Sequence, residues 1–173
     1  MISHVLTAPT SETGQRGVGM VEVLVALLII SIGLLGYAGL QLRALGSTED
    51  AHYRSQAIAI AQDLSERIAV NPQAVDVYLT EANWAAMTAT GSKPTGWDAC
   101  LEAPCLADDM AESDILHIRW QAAQLLPAGQ ALVAECDASD ALCITVSWLD
   151  TAPADCEPPA DQCVRLEVVV WEP

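Results

Sequence analysis

The sequence predicts an α+β protein in which one long N-terminal helix precedes a group of β-strands. Residues 18–42 form a dense apolar block, and residues 43–70 continue it with apolar side chains at helical spacing. Two segments near the C-terminus, 142–149 and 164–171, alternate apolar and polar residues as half-buried strands do. A chain of 173 residues has room for one domain and an appendage.

The apolar block is long enough to cross a membrane. A helix rises about 1.5 Å per residue, so residues 18–42 would extend about 37 Å, against about 30 Å for a hydrocarbon core. Between Arg16 and Arg43 the block contains one charged residue, Glu22. A carboxylate inside a membrane helix is costly and is a functional hypothesis by default.

Three interpretations of this block compete. A secretory signal peptide would be cleaved after the Gly36-Tyr37-Ala38 stretch, but its apolar region would then follow a carboxylate rather than a positive charge. A plain transmembrane anchor explains the length and not Glu22. Cleavage between Gly17 and Val18 explains both, because a new α-amino group would arise four residues before Glu22 and could neutralise it. Glu22 would also interact favourably with the helix dipole.

The third interpretation matches a known signal. Arg16-Gly17, four uncharged residues, Glu22 and a long apolar run resemble the class III signal of type IV prepilins and pseudopilins. In that family a prepilin peptidase cuts after the glycine and methylates the new N-terminal residue. The resemblance therefore implies cleavage between Gly17 and Val18, N-methylation of Val18, and a role for Glu22 in assembly.

The stretch "MVEVLVALLIISIGLLGYAGLQLRAL" (20–45) is similar to the opening of PilV-type minor pilins, the type IV pilus modification proteins. "IRWQAAQLLPAGQALV" (118–133) resembles a later helix of that family, and "LCITVSWLD" and "CVRLEVVVWEP" resemble its last strands. The resemblance implies a type IV pilin-like fold, with the long helix packed on an antiparallel β-sheet head. It further implies a role in priming pilus assembly, with effects on motility and adhesion.

The same resemblance implies how the chain is organised. Residues 1–17 would be the leader, 18–42 the transmembrane and assembly helix, and 43–173 the periplasmic head. The partners would be the prepilin peptidase, other minor pilins, the major pilin and the inner membrane, before transfer to the pilus on the cell surface. A minor pseudopilin of a type II secretion system has the same signal and architecture, and it remains the alternative.

The second half of the long helix is predicted to be amphipathic. Its apolar stripe consists of Ala57, Ile60, Ala61, Leu64 and Ile68. The opposite face carries Arg54, Gln62, Ser65 and Glu66. The Asn71-Pro72 pair is predicted to end the helix, because the residue before a proline is biased away from helical angles.

The remaining elements are shorter. We expect a short helix around 79–87 in an otherwise irregular region, and a second long helix over 108–126 closed by Pro127 and Gly129. Within that helix "ILHIRW" (115–120) also alternates like a strand. A further strand is expected over 133–136.

The six cysteines all lie in the last 74 residues, after the apolar block. An even number in this position indicates disulfides formed outside the cytosol. Six cysteines allow 15 pairings; the three sequence-adjacent pairs are favoured because each closes a short loop. The candidates are Cys100, Cys105, Cys136, Cys143, Cys156 and Cys163. No C-x-x-C motif and no nearby histidine supports a zinc site.

The composition argues against several functions. The net charge is −16, which disfavours nucleic acid and anionic lipid surfaces as direct partners. No catalytic or phosphate-binding motif occurs, so we expect no enzyme, no cofactor and no metal. His52 and His117 lack a ligand motif, and the acidic clusters 108–109 and 137–140 are interpreted as solvated faces rather than calcium sites. Among five tryptophans, Trp97 is expected to be the one exposed for contact.

Overall fold

A computed structural model describes residue 17 and residues 19–97, 99–102, 104–159 and 161–169. Four α-helices occur in these residues: α1 (Met20–Val70), α2 (Val75–Leu79), α3 (Ala99–Glu102) and α4 (Ala107–Leu125). Three strands follow: β1 (Gln130–Glu135), β2 (Leu142–Ser147) and β3 (Cys163–Val168). Short 3-10 turns cover Pro72–Ala74, Glu81–Trp84 and Pro153–Asp155. The predicted α+β architecture, a long N-terminal helix followed by an antiparallel sheet, is confirmed.

The chain divides into two compact units, with the boundary inside α1 between Leu45 and Gly46. The part of α1 in the first unit has no buried residue and exposes apolar side chains along its length, such as Leu24 and Leu35. The part of α1 in the second unit buries one face against the rest of that unit. The same helix therefore has two different packing environments along its length.

The core of the second unit forms between α1, α4 and one face of the sheet. The predicted apolar stripe of α1 is confirmed in full, since its five members are the buried residues of that helix. They pack with Ile115 and Ile118 of α4 and with Ile144, Val146 and Trp148 at the sheet. Their spacing of three, four and seven residues puts them on one side of the helix.

The sheet is antiparallel, in the order β1-β2-β3. Every residue of β2 is buried. Its even-numbered residues, such as Ile144, face the helical core, whereas Thr145 and its odd-numbered neighbours occupy the outer face. The turn Pro153–Asp155 lies against β1 and β2, which explains why the central strand lacks a solvated side.

The region between α1 and α4 differs from the predicted short helix over 79–87. Helix α2 ends at Leu79, a 3-10 turn covers Glu81–Trp84, and no regular structure follows to residue 90. The Trp84 indole donates a hydrogen bond to the Tyr78 carbonyl oxygen at 2.7 Å, and both side chains are buried. This hydrogen bond holds the chain in a non-helical turn after α2, and the apolar periodicity of the sequence does not predict such a contact.

The "ILHIRW" segment is helical, within α4, so its strand interpretation is wrong. Strand β1 begins at Gln130 rather than 133, directly after the turn that ends α4. Strand β2 ends at Ser147 rather than 149, because Leu149 has a φ of 59° and leaves the extended conformation. The predicted strand 164–171 corresponds to β3; residues 170 and 171 lie outside the described part.

Candidate assembly site

The first turn of α1 carries the lone carboxylate. The backbone N–H of Glu22 donates to the Gly19 carbonyl oxygen at 2.9 Å, and the Val23 N–H donates to the same oxygen at 3.3 Å. Glu22 itself is exposed and lies in the first helical turn, where a negative charge favours the helix dipole. The proposed cleavage residue Gly17 is also exposed, whereas Val18 lies outside the described residues.

Apolar side chains surround this carboxylate and continue for six turns. Among the described residues, α1 is the one helix long and apolar enough to cross a membrane. One polar side chain of this segment is paired within the helix, since the Ser31 hydroxyl donates to the Leu27 carbonyl oxygen at 2.7 Å. A lipid or helix bundle requires such internal pairing because it offers no water. The segment can therefore be buried in either environment, leaving Glu22 as its one side-chain charge.

The glycines of this segment leave open space beside the helix. A Cβ atom added at Gly33, Gly36 or Gly39 would meet no atom of the described residues within 4 Å. Glycines on a membrane helix permit close approach of a neighbouring helix.

The cysteines form three disulfides, each within the second unit. The pairs are Cys100–Cys105, Cys136–Cys143 and Cys156–Cys163. They are the sequence-adjacent pairs, whose partners lie five or seven positions apart in the sequence. Cys136–Cys143 closes the turn between β1 and β2, and Cys156–Cys163 closes the loop before β3.

The acidic clusters do not form a metal centre in the described residues. One group of three ligand-type side chains comes together there, Cys136, Cys143 and Glu167, but both sulfur atoms are used in a disulfide. Asp108 and Asp109 are exposed in the first turn of α4, where they favour the helix dipole. Residues 137–140 are an exposed turn between β1 and β2.

Trp97 is half-buried rather than freely exposed, which corrects the expectation from its turn-rich surroundings. One contact is a stacked arrangement with His117, with ring centroids 3.9 Å apart. The Lys93 ammonium lies 4.3 Å from the Trp97 ring centroid, and the Trp120 ring meets it edge-on. The Trp120 indole also donates to the Ser92 carbonyl oxygen at 3.0 Å, so this loop is attached to α4.

Partial burial lowers the pKa values of two basic side chains near this loop, His117 and Arg119. Desolvation, followed by the positive charge of Arg67, lowers the pKa of His117. Desolvation also lowers the pKa of Arg119. His52, by contrast, is exposed on α1, as the sequence predicted for it.

A polar network joins α1, α2 and α4, and the sequence did not reveal it. The Arg67 guanidinium donates to Asp63 at 2.8 Å and to Asp114 at 2.6 Å, and the Tyr78 hydroxyl donates to Asp114 at 2.7 Å. Burial acts to lower the pKa of Arg67, but the hydrogen bonds to the two carboxylates outweigh it and raise that pKa. Burial and the bond to Asp114 raise the pKa of Tyr78.

Arg54 was expected on the solvated face of α1, and it is half-buried instead. Its guanidinium donates to the carbonyl oxygens of Cys163 at 3.3 Å and Asp161 at 3.4 Å. It also lies 5.5 Å from the centroid of the Trp148 ring. A long arginine side chain can reach backbone groups that a helical wheel does not place nearby.

Comparison with known families agrees with this geometry. Residues 13–38, which contain Gly17, Val18 and Glu22, match the prokaryotic N-terminal methylation motif. Residues 39–116 match the family of the type IV pilin Tt1218. The chain is a type IV pilin. The searches of curated proteins and of solved structures returned no match.

The two matches meet within α1 and together reach into α4 of the pilin. The three strands lie after the matched residues in the chain, so the evidence for the sheet comes from the structure and not from the family matches. The pilin family is a structural one, and its methylation motif implies processing by a prepilin peptidase and assembly with other pilins.

Proposed function

We propose that this pilin is a minor pilin of a type IV pilus that helps to prime pilus assembly. The single observation that carries the proposal is the methylation motif over 13–38, which includes the start of an exposed apolar helix. Residues 20–45 also resemble PilV-type minor pilins. That resemblance supports the minor class and a role in motility and adhesion.

In this proposal the peptidase cuts between Gly17 and Val18 and methylates the Val18 amine. Gly17 is exposed, and within the described part of the chain no atom lies within 4 Å of a Cβ built on it, which leaves room for an enzyme. The new amine would precede Glu22 by four residues, within reach of a carboxylate in the first helical turn. It could pair with Glu22 of its own chain or of a neighbouring subunit.

The apolar helix would first rest in the inner membrane and then pack among the helices of other subunits. Transfer from lipid to a bundle changes the apolar contacts little, so the driving force must include close packing and polar pairing. An unpaired carboxylate costs about 2.5–3.5 kcal/mol at the centre of a bilayer, and less near the end of a helix. Pairing Glu22 with an amine removes that cost.

The head would lie in the periplasm. Its three disulfides form and persist in an oxidising compartment, whereas cytosolic reductants would reduce them. The net charge of −16 also favours solubility of the head and disfavours binding to nucleic acid.

The processing step has a direct test. Mass spectrometry of the natural protein should find an N-terminal peptide that begins with methylated Val18. Gly17→Ala should leave the leader attached, whereas Gly19→Ala is the matched control and should be processed normally. An intact bond between residues 17 and 18 in the natural product would overturn the proposal.

The role of Glu22 has a second test. We predict that Glu22→Ala inserts into the membrane normally but assembles poorly, because the amine of the cleaved chain loses its partner. Piliation and fractionation of the protein between membrane and sheared pili measure the two steps. Glu49→Ala removes an exposed acid farther along α1 and should not affect assembly. Normal piliation with Glu22→Ala would remove the proposed role of the carboxylate.

A minor pseudopilin of a type II secretion system is the second candidate, since it shares the signal and the architecture. Deletion of the gene separates the two: loss of pili with normal enzyme secretion supports the pilus. Loss of secretion with normal pili supports the secretion system.

A further inference from the structure

Strand β3 has β2 on one side and no strand on the other within the described residues. The Trp148 N–H donates to the Gln162 carbonyl oxygen at 2.9 Å, which shows that even-numbered residues of this segment direct their backbone groups toward β2. The N–H and C=O groups of Arg165 and Glu167 therefore point to the opposite edge. Among the described residues these four groups have no hydrogen-bond partner.

The two edges of the sheet differ in what lies beside them. The edge of β1 lies against the 3-10 turn Glu81–Trp84 and helix α2. At the edge of β3, Arg54 covers the Cys163 carbonyl oxygen, and the segment beyond it stays open. An open, unpaired edge is a template for another strand.

The sequence of this edge is self-complementary. Residues 164–168 read Val-Arg-Leu-Glu-Val, and they can pair antiparallel with a second copy of themselves about Leu166. In that register Arg165 lies opposite Glu167 of the second copy, twice. Val164 lies opposite Val168, and the two Leu166 residues face one another.

This register also matches the hydrogen-bonding pattern. In an antiparallel pair, residues that exchange both hydrogen bonds lie directly opposite. Arg165 and Glu167 are the residues whose free backbone groups point outward, and the register places each opposite the other. A register shifted by one residue would oppose an outward residue to an inward one and would lose these bonds.

The two faces of the edge suit the pairing as well. Arg165 and Glu167 are exposed on the outer face, where opposite charges across strands stabilise a sheet. Nε and Nη2 of Arg165 already bind Thr145 and the Cys156 carbonyl oxygen, and Nη1 remains for a carboxylate. Leu166 and Val168 are half-buried beside the core, so a second strand would cover apolar surface.

We propose that the β3 edge is an interface for a second copy of this chain, which joins two three-stranded sheets into one of six strands across a two-fold axis. The proposal does not depend on whether the pilin is minor or belongs to a secretion system.

Cross-linking of the full-length protein in membranes tests the register. The Leu166 residues would form a pair without mutual hydrogen bonds, with Cα atoms about 4.5 Å apart, a separation that a disulfide accepts. We therefore expect Leu166→Cys to give a disulfide-linked dimer on a non-reducing gel after oxidation. Val168→Cys is the matched control: its two copies would be offset by four residues, about 13 Å, and should not cross-link. No dimer with Leu166→Cys, or equal dimer with both variants, overturns the proposal.

Charge exchange in the Leu166→Cys background tests the complementarity. Glu167→Arg alone places two arginines opposite two arginines, and Arg165→Glu alone opposes glutamates; each should lose cross-linking about tenfold. When the two variants are expressed together with tags of different size, the mixed dimer should recover, because every pair is then of opposite charge. Unchanged cross-linking of Glu167→Arg contradicts the interface. That variant decides the matter alone if Arg165→Glu fails to fold, since Arg165 also holds the Cys156 carbonyl oxygen.

Discussion

Gly129 shows how one residue determines a connection in the head. It follows α4 in a turn where Ala128 has a φ of 51°, and its N–H donates to the Leu126 carbonyl oxygen at 3.1 Å. A Cβ at position 129 would collide with the Ala122 carbonyl oxygen and with the Leu126 side chain. Position 129 therefore requires glycine because the backbone there lies too close to α4 to leave space for a side chain.

We predict that Gly129→Ala destabilises the head by about 1–3 kcal/mol, because the turn must shift to relieve the collision. The midpoint of urea unfolding, followed by tryptophan fluorescence, measures the change. Gly46→Ala is the matched control: it lies within α1 in open space, so alanine should stabilise the helix by about 0.5–1 kcal/mol. Equal midpoints for Gly129→Ala and the unmodified chain would contradict the close approach.

The sequence indicated Gly129 as the end of the helix but not the reason it must be glycine. Helix-ending residues are recognisable because their effect is local. The partner that excludes a side chain, the Ala122 carbonyl oxygen, is defined only once the helix has ended and the chain has reversed. For the same reason, Arg54 was assigned to the wrong face of α1: its partners lie more than 100 residues away in sequence.

At the scale of elements, Asp114 connects three helices. One oxygen accepts from Arg67 of α1 and the other from Tyr78 of α2, while Asp114 itself belongs to α4. The Asp114 side chain is 13% exposed, whereas that of Asp63, the second carboxylate on Arg67, is 34% exposed. The more buried carboxylate should therefore contribute more to stability.

We predict that Asp114→Ala destabilises the head by about 2–4 kcal/mol, because it leaves the buried Tyr78 hydroxyl without an acceptor and Arg67 with a single carboxylate. Asp63→Ala should cost about 1 kcal/mol or less. Thermal unfolding of the detergent-solubilised chain by circular dichroism compares the two. A larger loss for Asp63→Ala would show that Asp114 does not join the helices as described.

The elements themselves were predictable to different degrees. Helix α4 and the buried stripe of α1 follow from apolar spacing, since a helix repeats every 3.6 residues over many turns. The strands were found with errors at their ends, because a strand ends where its partner does. Leu149, for example, lies within the predicted strand and yet has a positive φ of 59°.

For the molecule as a whole, His117 makes stability depend on pH. Its pKa is lowered in the folded state, so the unfolded chain takes up a proton more readily as pH falls below about 6.5. The stabilisation is therefore present above that pH and decreases as pH falls through the pKa of the folded state. Repulsion among the many acidic side chains also affects the stability of the head, but it is the same in all the variants compared.

We predict that His117→Gln unfolds at a lower urea concentration than the unmodified chain at pH 7.5, because it loses the stacking on Trp97. Between pH 7.5 and pH 5 its midpoint should fall less, because the protonation of His117 in the unfolded state is removed. His52→Gln, on an exposed histidine of α1, should keep the full decrease. An equal decrease in His117→Gln would show that another group is responsible.

The sequence alone determined the apolar helix, its lone carboxylate and the amphipathic continuation, because each depends on residues close together in the chain. The methylation motif and the short cysteine loops are local in the same sense. The tertiary structure decided which acid holds Arg67, where Trp97 lies and which strand is left at the edge of the sheet. Those outcomes depend on contacts between distant residues, which exist only after the helices and strands have packed.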